Sequence, residues 1–192
     1  MFFGDSFVAG VGDDTGLGWV GRVVAGACAA GVPLTAYNLG VRRETSADVL
    51  ERWEAEARPR VSREADCRVV FSFGANDATV ENGGPRVPAA DSVGALSQAI
   101  AGAARLGLPV LVVGPPPAND DDQQDRISRL SASFAEVAEG RTVPFVDVAG
   151  PLRASSTWSR EAQAGDGAHP GREGYALLAQ LVMEPWLGWL AS

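Results

Sequence analysis

The chain has no lysine: all 16 of its basic residues are arginine. Schiff-base chemistry and any mechanism that needs a lysine amine are thereby excluded. Histidine occurs once, at His169, so a zinc site built from several imidazoles is impossible. The two cysteines, Cys28 and Cys67, lie far apart with no C-x-x-C spacing, which excludes thiolate zinc sites as well. Both fall in apolar stretches and are expected to be small, buried, reduced side chains. Positive charge is scarce. Sixteen basic residues against 24 acidic ones leave a net charge of −8, so the basic footprint that nucleic acid or an anionic membrane requires is missing. No run approaches the roughly 18 apolar residues that cross a bilayer, and no basic segment followed by an apolar one marks a leader. The expectation for the chain as written is a cytoplasmic protein without integral membrane association. Only Met1–Phe3 precede Gly4, and so short a first strand points to residues upstream of Met1.

What is present is ordinary globular material: 192 residues, 46% of them apolar, enough for one domain over 1–192. Short apolar runs alternate with helical periods. Strands are expected at Met1–Phe3, "PLTAYNLG", "CRVVFSFG", "PVLVVG" and "VPFVDV". The "CRVVFSFG" run is apolar throughout, as a parallel strand buried on both faces should be. Between the strands, Trp19, Val20, Val23, Val24 and Ala27 fall at helix spacing, and Thr45-x-x-Asp48 opens a second helix in the manner of a capping box. Val93, Leu96 and Ile100 mark a third helix ending at Gly107, a candidate C′ residue. A fourth runs through Ile127, Leu130, Phe134 and Val137 to Gly140. A loop rich in Ser, Arg and Gly then leads to His169, and a last helix covers roughly 171–183. Strands alternating with helices predict an α/β protein: a three-layer α/β/α sandwich around a five-stranded parallel sheet.

In such a sheet, ligands bind at the carboxyl ends of the strands, and the polar clusters fall there. Gly4-Asp5-Ser6 follows the first strand, Asn38–Gly40 closes the second, "GAND" (Gly74–Asp77) closes the third, and "DGAHP" (Asp166–Pro170) opens the last helix. This set suits acyl transfer. A serine hydroxyl needs a base, and the base works best when a carboxylate fixes its tautomer. Ser6, His169 and Asp166 fill those roles, and the small residues between Asp166 and His169 permit the tight turn that joins them. Pro170 suits the first position of the following helix. An oxyanion needs donors: the Ser6 N–H, an unobstructed Gly40 N–H and the Asn76 amide are the candidates.

Together these residues resemble the four blocks of the SGNH hydrolases, the GDSL-type esterases and lipases: "GDSF" with Ser6, "NLG" with Gly40, "GAND" with Asn76, and "DGAHP" with Asp166 and His169. The likeness spans residues 4 to about 175. It implies Ser6 as nucleophile, Asp166 and His169 as its partners, and Ser6, Gly40 and Asn76 as oxyanion donors. It further implies a flavodoxin-like sandwich with strand order 2-1-3-4-5, and a carboxylic ester or thioester hydrolase acting on a small acyl ester with no metal or cofactor. Phe7 stands where the family name has Leu.

Other readings compete. An acyltransferase would use the same acyl-enzyme, and a silent ligand-binding domain would share the fold. "GVGDDTG" approaches a dinucleotide loop, but its spacing misses the fingerprint by one residue. Asp5 and Asp77 are read as hydrogen-bonding their loops in place, and "NDDDQQD" as a solvated loop and helix N-terminus rather than a metal cluster. Trp186 and Trp189 are expected in the core or at a dimer contact.

Overall fold

The computed structural model describes residues 1–192. In chain order its elements are β1 (Phe2–Gly4), α1 (Ser6–Ala9), α2 (Gly18–Ala29), β2 (Asn38–Gly40), α3 (Ser46–Ala57), β3 (Val69–Ser72), β4 (Val80–Glu81), β5 (Gly84–Pro85), α4 (Ala89–Arg105), β6 (Val110–Val113), α5 (Asp121–Glu139), β7 (Phe145–Val146), α6 (Ala149–Arg153), α7 (Ser156–Ala164) and α8 (Arg172–Leu190). Five strands form one sheet in the order β2-β1-β3-β6-β7, every pair parallel. Counting only those five, the order is the expected 2-1-3-4-5. The small antiparallel hairpin β4–β5 is an unanticipated addition after β3.

Strand period explains why these runs are apolar from end to end. Phe2 pairs with Val70 and Val70 with Leu111, and all three join a core with α2 and α8. Their neighbours Phe3, Phe71 and Val112 point to the opposite face, into a second core with α3, α4 and α5. Successive residues thus feed different cores, and a covered parallel sheet leaves no face for alternating polar residues.

Local signals hold where they were strong. Thr45 and Asp48 form a full capping box on α3, and α4 gives way to Gly107 with φ +68°, the left-handed conformation a C′ glycine supplies. Four expectations are corrected. The second strand is only Asn38–Gly40. The expected loop before His169 contains α6 and α7, which bury Leu152, Trp158 and Ala162. In α7 only Trp158 and Ala162 face inward, one residue per turn, too sparse a stripe to stand out; Ser155 caps it by accepting the Trp158 N–H. The last helix runs through Pro185 to Leu190. One backbone donor is lost there, but Trp186 and Trp189 beyond it are buried, and Trp186 packs 5.2 Å from the Phe2 ring. Finally, Cys28 is exposed and Cys67 partly so, both as free thiols, so neither is the buried residue expected.

The tightest constraint lies at the end of β1. A Cβ on Gly4 would stand 1.9 Å from the Ser72 carbonyl oxygen and 2.6 Å from a Val8 methyl. Gly4→Ala must therefore push β1 away from β3, and an unfolding titration should register a loss of at least about 2 kcal/mol. An unchanged midpoint would contradict this packing.

Candidate active site

At the end of β1 the chain turns sharply. Asp5 is extended (φ −98°, ψ −151°) and its carboxylate accepts the Phe7 N–H at 2.9 Å, capping the one-turn helix α1. Ser6 is the first helical residue, so its N–H has no intrahelical acceptor, and it donates to no other backbone group. From the far end of the chain, Asp166 folds back on the segment that follows it. One carboxylate oxygen accepts the Ala168 and His169 N–H groups at 3.1 and 2.9 Å; the other lies 2.7 Å from His169 Nδ1. His169 Nε2 is 2.7 Å from Ser6 Oγ. Hydroxyl, imidazole and carboxylate thus stand in line. Partial burial would by itself raise the Asp166 carboxyl, but the His169 backbone and ring and the Ala168 N–H together hold it down to about 2, so it is ionised at any working pH.

Packing fixes the imidazole. The Phe7 ring lies 4.9 Å from it and stacks on Trp158 at 6.0 Å. Beneath it passes the loop 10–16, where Gly12 (φ +94°) leaves no room for a Cβ, which would meet Pro170 O at 2.6 Å and the His169 Cβ at 3.1 Å. Asp13 accepts the Thr15 N–H within that loop and the N–H of Gly18, the first residue of α2. Of the glycines of "GVGDDTG", Gly12 therefore serves close packing under His169, whereas a Cβ on Gly10 would meet the Gly18 backbone at 2.9 Å and Gly16 turns the chain in open space with φ +69°. The remaining rim loops are cross-tied: Gln123 Nε2 donates to Ala75 O and Thr79 Oγ1, and Asn119 Nδ2 to Gly167 O. They enclose an open cleft of about 360 Å³ lined by Ser6, Asn76, Asp166 and His169, with Arg42 and Arg43 at its mouth. Other cavities, one of about 670 Å³, lie away from Ser6. Size does not mark the site here; chemistry does.

The GDSL-like lipase/acylhydrolase family model matches residues 2–177. The chain belongs to that family. It is a carboxylic ester hydrolase. Among solved structures it is similar to a lipase/acylhydrolase from Enterococcus faecalis, with 27% identity, a TM-score of 0.78 and coverage of 97% of this chain and 94% of that one. A psychrotrophic esterase, EstA, from Pseudoalteromonas sp. has 19% identity and a TM-score of 0.75, covering 100% and 97%. The acetylxylan esterase Axe2 from Geobacillus stearothermophilus has 20% identity and a TM-score of 0.76, covering 95% and 91%. No curated protein sequence matches the chain.

Of the esterase's expected site residues, Ser6, Asn76, Asp166 and His169 converge on the cleft; Gly40 does not. It pairs with Gly4 in the sheet, and its N–H is taken by the Asn38 carboxamide oxygen at 3.1 Å. A Cβ there would meet Ala9 N at 2.3 Å and Asp5 O at 2.8 Å, so Gly40 is glycine because α1 crosses directly over β2. The residue the sequence did not reveal is Arg43. It lines the cleft with φ +66°, a conformation usually left to glycine, and its N–H reaches no backbone acceptor. An arginine gives no advance sign of that geometry.

Asp5 and Asp77 lie behind the cleft and brace it. Asp77 accepts the Ser46 N–H at 2.8 Å, and Asn76 Nδ2 donates to Glu44 O at 2.9 Å. Asp120 caps α5, and no group of three or more His, Cys, Asp or Glu side chains is arranged to hold a metal ion. Burial first, then Asp77 and Glu44 nearby, push the Asp5 carboxyl up from 3.8 to about 7, against the pull of the Phe7 N–H. The folded state thus keeps a proton that the unfolded chain gives up near 3.8, and Asp5's contribution to stability falls as pH rises through that window. Asp5→Asn removes the slope. Its melting temperature should gain on the parent enzyme's between about pH 5 and 8; parallel curves would contradict the assignment.

Proposed function

We propose that the esterase works through a Ser6–His169–Asp166 triad within a single domain over 1–192. Ser6 Oγ attacks the ester carbonyl while His169 Nε2 takes its proton. Asp166, ionised, holds the imidazole by Nδ1 and stabilises the cation that forms. The tetrahedral oxyanion is met by the Ser6 N–H, the Arg43 N–H and the second N–H of the Asn76 amide, the first being committed to Glu44 O. Collapse expels the alcohol, which His169 protonates, leaving an acyl group on Ser6. Water, activated by the same imidazole, then releases the acid.

The pair of 2.7 Å contacts that His169 makes, one through each ring nitrogen, carries this reading. Those distances are hydrogen bonds in line with proton transfer from hydroxyl to imidazole. The donor set has the same support: Ser6 N–H is the free first amide of α1, and Arg43 is held left-handed with its N–H unspent.

Ser6→Ala should lower kcat on a short aryl ester by at least about a thousandfold with the melting curve preserved, and Asn76→Ala by about a hundredfold or more. Steady-state kinetics beside circular dichroism would check both. A Ser6→Ala enzyme of near-normal turnover refutes the mechanism.

A further inference from the structure

We propose that the ester this cleft selects carries an anionic oxygen group on its alcohol side, and that Arg42 is the specificity-determining residue that receives it. The inference rests on the triad reading above and adds the substrate's chemistry to it.

The cleft is not built for a long acyl chain. No Leu, Ile, Val or Met side chain lines it; its apolar members are alanines, prolines and Phe7, and the Phe7 ring is already packed between His169 and Trp158. A fatty chain would gain little by entering, since transfer free energy scales with the apolar area covered. The walls offer polar groups instead.

Of the two arginines at the mouth, Arg43 is engaged, with its guanidinium 3.3 Å from Glu81. Arg42 is not. Its nearest anion is Asp166 Oδ2 at 4.0 Å, beyond hydrogen-bond range, and 62% of its side chain is exposed. That carboxylate is itself committed to three bonds from Ala168 and His169. Arg42 therefore keeps a planar fork of unused donors, the geometry that fits a carboxylate or phosphate in bidentate fashion. Its loop is braced: Arg86 donates to Arg43 O at 2.8 Å and Asn76 to Glu44 O at 2.9 Å. The location selects the alcohol side. Arg42 stands beside the Asp166–His169 pair, and His169 is where the leaving oxygen collects its proton. The chain's net charge of −8 would repel an anionic ester at long range, so a local cation at the mouth has a task that a neutral substrate would not set it.

If Arg42 only screened Asp166, it would affect every ester alike. The test is therefore a ratio. Values of kcat/KM are measured for 4-acetoxybenzoate and 4-acetoxybenzamide, esters of similar leaving ability that differ in charge. The parent enzyme should favour the anionic ester roughly three- to fivefold, the worth of an exposed ion pair, and the preference should shrink as salt is added. Arg42→Gln should bring the ratio to about one, and Arg42→Glu should reverse it for a total change of about tenfold. Equal losses on both esters, or a ratio unmoved by Arg42→Glu, would overturn the proposal. Ser6→Ala run alongside separates the two claims: loss of both activities supports the triad, and its failure to lose them counts against the mechanism and not against Arg42.

Discussion

One hydrogen bond between residues at opposite ends of the chain organises the candidate active site: His169 Nε2 to Ser6 Oγ, 2.7 Å. It exists only because β1 sits inside the sheet, paired with β2 on one side and β3 on the other, while α8 docks against the same face. Trp186 packs on Phe2, and the Tyr175 hydroxyl donates to Val11 O at 2.7 Å. Both contacts join the C-terminal helix to the segment that carries Ser6. The imidazole is thus positioned by core packing, and its contact with Ser6 inherits the rigidity of the apolar interior.

Beneath the cleft, a layer of charges holds the backbone. Arg52 is clamped to Glu44 and Glu56 and donates to Gly4 O, the last carbonyl of β1, and to Leu39 O in the middle of β2. Asp5 and Asp77 fix the turns that present Ser6 and the "GAND" loop. Each leaves one buried oxygen without a partner, a cost that stable packing elsewhere must offset. Two carboxylates flanking Ser6 and Asn76 in the chain look like surplus catalysts. Their bonds are to backbone N–H groups, which makes them supports for the residues that line the cleft.

Legibility followed the strength of the local signal. The continuous apolar run at β3 and the Thr45–Asp48 box fix their elements unaided. Asp166 and His169, with small residues between them, announce a turn whose geometry leaves few alternatives. Legibility failed where tertiary contacts decide. α7 shows only Trp158 and Ala162 to the core, and the last helix, expected to end near residue 183, is carried on past Pro185 by buried tryptophans. The glycine at position 40 answers a steric demand from α1, whereas the left-handed residue at the cleft is an arginine. Glycine signals backbone freedom, and the sequence alone does not tell which of two needs it meets.

The most direct test of the account is covalent. The enzyme would be treated with a fluorophosphonate and examined by intact mass and peptide mapping. The account predicts one adduct per chain, on Ser6, with hydrolysis lost in step and no adduct in Ser6→Ala. An adduct on a different serine, or full hydrolytic activity in a fully labelled sample, would contradict it.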